Sequence, residues 1–155
     1  MAQRYPNLVQ FGESAVRRDY VAFARRKDIS IAGWGTLEPY TVGIITGWKI
    51  LERNIKGTKS LTKVKTADQL FSLLEAGRAD LVVYSRLSGL QLIKDRGLKG
   101  IRVVEPPLAD RDTYFYLHKK HENLVAQADA ALRQMKADGS YQRLYDRTIG
   151  SLVSD

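Results

Sequence analysis

Val42-Gly43-Ile44-Ile45-Thr46-Gly47-Trp48-Lys49 is a β-branched run that breaks at a glycine and opens into Ile50-Leu51-Glu52-Arg53-Asn54-Ile55. The apolar run over 42–45 reads as a buried strand, and the spacing Trp48, Leu51, Ile55 that follows has the period of a helix. The stretch is therefore a strand, a turn and a helix in sequence. At such a corner the first backbone N–H groups of the helix lack internal partners and lie at the positive end of its dipole, so an anion or carboxylate can sit there. A plain βα turn that binds nothing has the same local sequence, and the stretch alone leaves both readings open.

The rhythm continues on the C-terminal side. Leu61 to Lys65 alternates as a strand. Thr66-Ala67-Asp68-Gln69 is a capping-box opening, with Ala67, Leu70, Phe71 and Leu74 on one helical face and Gly77 at its end. Ala79 to Tyr84 is apolar on both faces, as a central strand is. A helix over 86–95 with Leu87, Leu90 and Ile93 stops near Gly97, and Ile101 to Val104 forms a strand up to Glu105-Pro106-Pro107. An aromatic strand, Thr113 to Leu117, precedes an amphipathic helix over 122–138 and a last short helix with Tyr141, Leu144 and Tyr145.

On the N-terminal side, Pro6, Asn7, Gly12 and Ser14 break any periodicity, so residues 1–18 read as an irregular arm. Asp19 to Ala24 then alternates as a strand, and Ile29-Ser30-Ile31 reads as a second short one. The alternation of strand and helix over 41–104 predicts an α/β fold with a mostly parallel sheet flanked by helices. In such sheets ligands collect outside the carboxyl ends of the strands. Two ends stand out: Thr46-Gly47-Trp48-Lys49 and Tyr84-Ser85-Arg86.

Composition narrows the function classes. The 155 residues are 44% hydrophobic and 27% charged, which suits one ordinary globular domain or one lobe of something larger. No run of about 18 apolar residues is present to cross a membrane. The start, Met1 to Asn7, has no apolar segment of the secretory type, so the chain as written is expected in the cytoplasm. Without cysteine there is no disulfide, thiolate nucleophile or cysteine zinc site. His118 and His121 lie beside Lys119 and Lys120, which repel a cation, and no metal or other cofactor is expected. The net charge of +8 is dispersed in small groups, without a helix-turn-helix or RNP-like aromatic pattern, so no specific nucleic acid is expected. No nucleophile elbow or Walker loop occurs, and the scattered carboxylates form no pair by spacing, so the chain is read as a non-enzyme.

The order of these pieces resembles the type 2 periplasmic-binding-protein family, the family 3 extracellular solute-binding proteins that serve ABC importers. The resemblance rests on the strand from Asp19, on Leu37 to Gly47, on Leu70-Phe71-Ser72-Leu73-Leu74-Glu75-Ala76-Gly77-Arg78-Ala79-Asp80, on Asp112 to Lys120, and on Ala137-Asp138-Gly139-Ser140-Tyr141-Gln142-Arg143-Leu144-Tyr145. It implies a second lobe over 19–120, with crossover strands at both ends. It also implies C-terminal helices over 121–155 that would pack on a first lobe, which is largely missing.

By matching position the resemblance implies that Thr46, Gly47, Trp48 and Lys49 face Tyr84, Ser85 and Arg86 across a ligand site. Amino-acid-binding members carry an Asp where this chain has Ser85, so the set suits a polar or anionic solute better than a plain amino acid. Trp48 can either pack under its helix or offer a face to the ligand, and Arg86 can be a solvated helix start or a ligand contact. The expected function is solute binding for an ABC-type importer, with lobe closure about the strands near 19–25 and 112–118. Periplasmic placement and an ABC permease partner follow by resemblance, and a homodimer through an exposed apolar face of the helix over 122–138 is a further expectation. The alternative is a ligand-sensing effector domain of a signalling or transcriptional regulator with the same fold.

Overall fold

The computed structural model describes residues 5–150 and 152. Its sheet has five strands in the order β3-β2-β4-β1-β5. These are β1 (Leu8–Ala24), β2 (Thr41–Ile45), β3 (Ser60–Val64), β4 (Leu81–Ser85) and β5 (Arg102–His118). The helices are α1 (Lys49–Asn54), α2 (Ala67–Glu75), α3 (Arg86–Arg96), α4 (Glu122–Ala137) and α5 (Ser140–Tyr145). β2 pairs in parallel with β3 and β4, while β1 runs antiparallel to β4 with Tyr20 opposite Ser85. The fold is α/β, as expected, and the sheet is mixed where β1 joins it.

The chain divides into two compact units, one of residues 19–110 and the other of the flanking segments up to 18 and from 111. In the first, the pleat of β1 sorts side chains to two cores. Ala22 and Ala24 enter one with Val42, Ile44, Leu51 and Val83, and Val21 and Phe23 enter the other with Leu70, Phe71, Leu74 and Val82. The capping box at α2 forms as the sequence predicts: Thr66 Oγ1 accepts from the Gln69 N–H at 3.2 Å, and the Gln69 side chain accepts from the Thr66 N–H at 3.3 Å.

Asp80, in the Gly77-Arg78-Ala79-Asp80 segment, ties the start of β4 to that of β2. Its carboxylate accepts from the Thr41 N–H and hydroxyl, both at 2.8 Å. Burial raises its pKa, but these bonds and Arg26 outweigh that, and the net shift is downward. Gly89, inside α3, lies against Phe23; a Cβ there would come within 2.3 Å of the ring.

In the second unit Asp129 on α4 accepts from the backbone N–H groups of Gly12 and Glu13 at 2.7 and 3.0 Å. Arg133 and Lys136 each reach Glu13 at 3.1 Å. Phe11 packs edge-on against Phe115, and the Tyr141 hydroxyl donates to the Ala15 carbonyl at 2.8 Å.

Four local expectations change. Residues 8–18, expected in an irregular arm, belong to the long strand β1. Their partners lie a hundred or more residues away, on β5 and α4, so no local period announces them. β5 does not stop at Pro106-Pro107 but runs on to His118, because it is an edge strand where a missing N–H need not break a ladder. Ile29 and Ile31 are buried from a loop rather than a strand, and Arg102 Nη2 donates to the Ile29 carbonyl at 2.8 Å. The apolar face of α4 is less open than expected: Val125 is buried and Ala128, Leu132 and Met135 are half-buried, while Leu124 and Ala131 are exposed.

Candidate functional site

Because β2 and β4 are parallel, their carboxyl ends lie at the same edge of the sheet. Thr46 to Lys49 follow one end and Tyr84 to Arg86 close the other, so the sequence-predicted residues come to a common edge. Antiparallel β1 delivers two more, Asp19 and Tyr20, since Tyr20 is opposite Ser85.

Trp48 sits across this edge. Its ring stacks on Tyr84 at 4.9 Å and 24°, and meets Tyr20 edge-on at 5.8 Å and 83°. Tyr20 and Tyr84 belong to opposite faces of the sheet, since Tyr84 opposes Val21 in register and side chains alternate. Trp48 therefore closes the end of the sheet by touching a ring from each face. Still half-buried, it combines packing with an open remainder.

The corner itself is filled from within. The Gly47 N–H donates to Glu52 Oε1 at 3.1 Å, and the same carboxylate is bridged by Lys49 at 3.2 Å and Lys63 at 3.5 Å. The Gly47 bond first, then Lys49, holds the Glu52 carboxyl below the ordinary carboxylate range. Thr46 spends its N–H on the Val64 carbonyl at 2.9 Å. The N–H groups of Thr46 and Gly47 are thus engaged within the chain, and the carboxylate beside Gly47 is the chain's own, placed by a side chain five residues on.

Arg86 is neither a solvated helix start nor an open cation. Its Nη1 and Nη2 donate to the two oxygens of Glu105 at 2.6 and 3.0 Å, and its Nε donates to Asp19 Oδ2 at 3.0 Å. The paired Glu105 carboxylate keeps the guanidinium charged and is itself held below its ordinary pKa. Two carboxylates on one guanidinium leave the cluster with a net charge of −1, by charge arithmetic on the three groups. Ser85, opposite Tyr20 on β1, is buried at 5% exposure. Sequence reasoning missed Asp19 and Glu105, because only the strand register brings them to Arg86.

Nδ1 of His118 accepts from the Lys120 N–H at 3.2 Å. Among the described residues no group of three His, Cys, Asp or Glu is arranged to hold a metal ion.

The fold is similar to that of solved solute receptors. It superposes on the L-cystine solute receptor of Neisseria gonorrhoeae with a TM-score of 0.74 and 21% identity, covering 97% of this chain and 63% of that one. Two named relatives share sequence. The L-cystine-binding protein TcyA of Bacillus subtilis is 28% identical over 86 residues, 56% of this chain and 32% of its own length. The putative amino-acid ABC transporter-binding protein PatH of Vibrio harveyi is 34% identical over 79 residues, 50% of this chain and 32% of its own length. No protein-family model matches the chain. The chain spans from a third to about half of the length of the curated relatives it matches.

Proposed function

We propose that this chain is the ligand-binding lobe of a solute-binding protein of an ABC-type importer, and that it holds a small, polar, amino-acid-like solute. The Trp48–Tyr84 stack carries the reading: a half-open aromatic ledge stands outside the carboxyl ends of two parallel strands, where open α/β sheets take their ligands. The names of the relatives, an L-cystine-binding and an amino-acid ABC transporter-binding protein, support the solute class. Thr46, Lys49, Trp48 and Tyr84 are the contacts in this reading, with Ser85 buried behind them and Arg86 holding two acids in place. The anionic alternative has less support, since Arg86 is held by two carboxylates and the Gly47 N–H is donated to Glu52. The proposal includes an ABC permease as partner and placement outside the cytoplasmic membrane; it does not include a homodimer through α4.

The test is a fluorescence titration in a Trp34→Phe background, leaving Trp48 as reporter, with L-cystine, L-arginine and L-glutamate up to millimolar concentration. Saturable change with at least one zwitterionic or cationic probe is expected. A flat response to all three would overturn the reading.

A further inference from the structure

Beside the carboxyl end of the terminal strand, between β3 and α2, a groove of about 610 Å³ is lined by Lys63, Val64, Lys65, Gln69 and Arg78 among others. Lys63 and Val64 close β3 and Lys65 follows it, and the Lys65 N–H is already donated to Gln69 Oε1 at 3.0 Å, so the open backbone edge of the strand ends at Lys63. β3 is the terminal strand and has a neighbour on one side alone. Val64 turns its carbonyl inward to the Thr46 N–H, which directs the N–H and carbonyl of Lys63 outward. Lys65 and Arg78 are exposed and form no ion pair among the described residues, and Lys63 has only the 3.5 Å bridge to Glu52. The one acid in the lining, Asp68, is drawn toward Arg96 at 3.8 Å.

We propose that this groove docks an extended acidic segment of a partner protein, which adds as a strand to the free edge of β3 and sets its carboxylates against Lys63, Lys65 and Arg78. A free strand edge presents alternating donors and acceptors that only another polypeptide backbone matches, and strand addition draws its affinity from those main-chain bonds. Cations beside the edge select the partner. Lysines on an edge strand discourage pairing with neutral or basic strands, and the same charges attract an acidic one. The inference does not rest on the proposed solute contacts, although Lys63 shares Glu52 with Lys49 at that corner.

The experiment is fluorescence anisotropy of the full chain with three labelled heptapeptides. One alternates glutamate and valine, one alternates lysine and valine, and the third repeats the acidic sequence with N-methyl groups on alternate peptide bonds. The acidic peptide is expected to bind at low salt, the lysine peptide at least tenfold more weakly, and the methylated peptide at least tenfold more weakly. Lys65→Glu and Arg78→Glu, both at exposed positions, are each expected to weaken the acidic peptide at least fivefold. Equal binding of the methylated peptide would overturn strand addition. Unchanged affinity in both charge-reversal variants, no binding of the acidic peptide, or tighter binding of a single-stranded oligonucleotide would overturn the proposed partner.

Discussion

Arg86 grips Glu105 with both terminal nitrogens, at 2.6 and 3.0 Å, joining the start of α3 to the edge strand β5. Replacing Arg86 with Met leaves Asp19 and Glu105 without their shared cation. A loss of about 1–2 kcal/mol in urea unfolding is expected, toward the low end for charge-assisted bonds because Glu105 is 58% exposed. An unchanged midpoint would show that the cluster adds nothing to stability.

The same pair has an acid signature. Glu105 has a lowered pKa in the folded chain, owing first to its bond with Arg86. Its contribution is therefore complete above the ordinary glutamate pKa and is lost as pH falls through the depressed folded value. In Glu105→Gln the stability difference from the parent should shrink progressively below about pH 4. Parallel curves across that range would contradict the linkage.

Gly89 is a packing residue. Alanine is the better helix former by about 1 kcal/mol, but its methyl would meet the Phe23 ring at 2.3 Å. Gly89→Ala is expected to destabilise by about 1–3 kcal/mol, as overpacked core positions do. Thermal unfolding of Gly89→Ala beside Gly89→Ala/Phe23→Leu separates the causes: the second change should recover part of the loss.

The Thr66 cap gives a cleaner number. Thr66→Ala removes the acceptor for the Gln69 N–H and should cost about 1 kcal/mol. Thr66→Ser should cost much less, and equal losses would assign the effect to packing rather than to the cap.

At the corner, Glu52→Gln removes the charge that both lysines share while leaving an acceptor for the Gly47 N–H. Amide exchange at Gly47 should accelerate modestly in Glu52→Gln and strongly in Glu52→Ala. Identical protection in parent and Glu52→Ala would mean that the side chain does not cover that donor.

What could be read along the chain was what short-range chemistry governs. The Thr66 and Gln69 box, the three- and four-residue spacing of Leu70, Phe71 and Leu74, and the two-faced apolar run over 81–84 each depend on neighbours within a turn or a strand. The extended course of residues 8–18 was not legible, because its bonds go to Asp129 and to β5 across more than a hundred residues. Nor was the continuation of β5 past two prolines, which only an edge position permits.

The candidate site divides in the same way. Local sequence placed Thr46 to Lys49 and Tyr84 to Arg86 at strand ends, because a strand followed by a helix fixes where the turn falls. The register of β1 against β4 brought Asp19 to Arg86, edge strand β5 brought Glu105, and the fold of α1 put Glu52 on Gly47. The sequence by itself determined which residues stand at the edge; only the tertiary structure decided which of their charges are already spent, since Coulombic and hydrogen-bond partners are set by distance in space rather than along the chain.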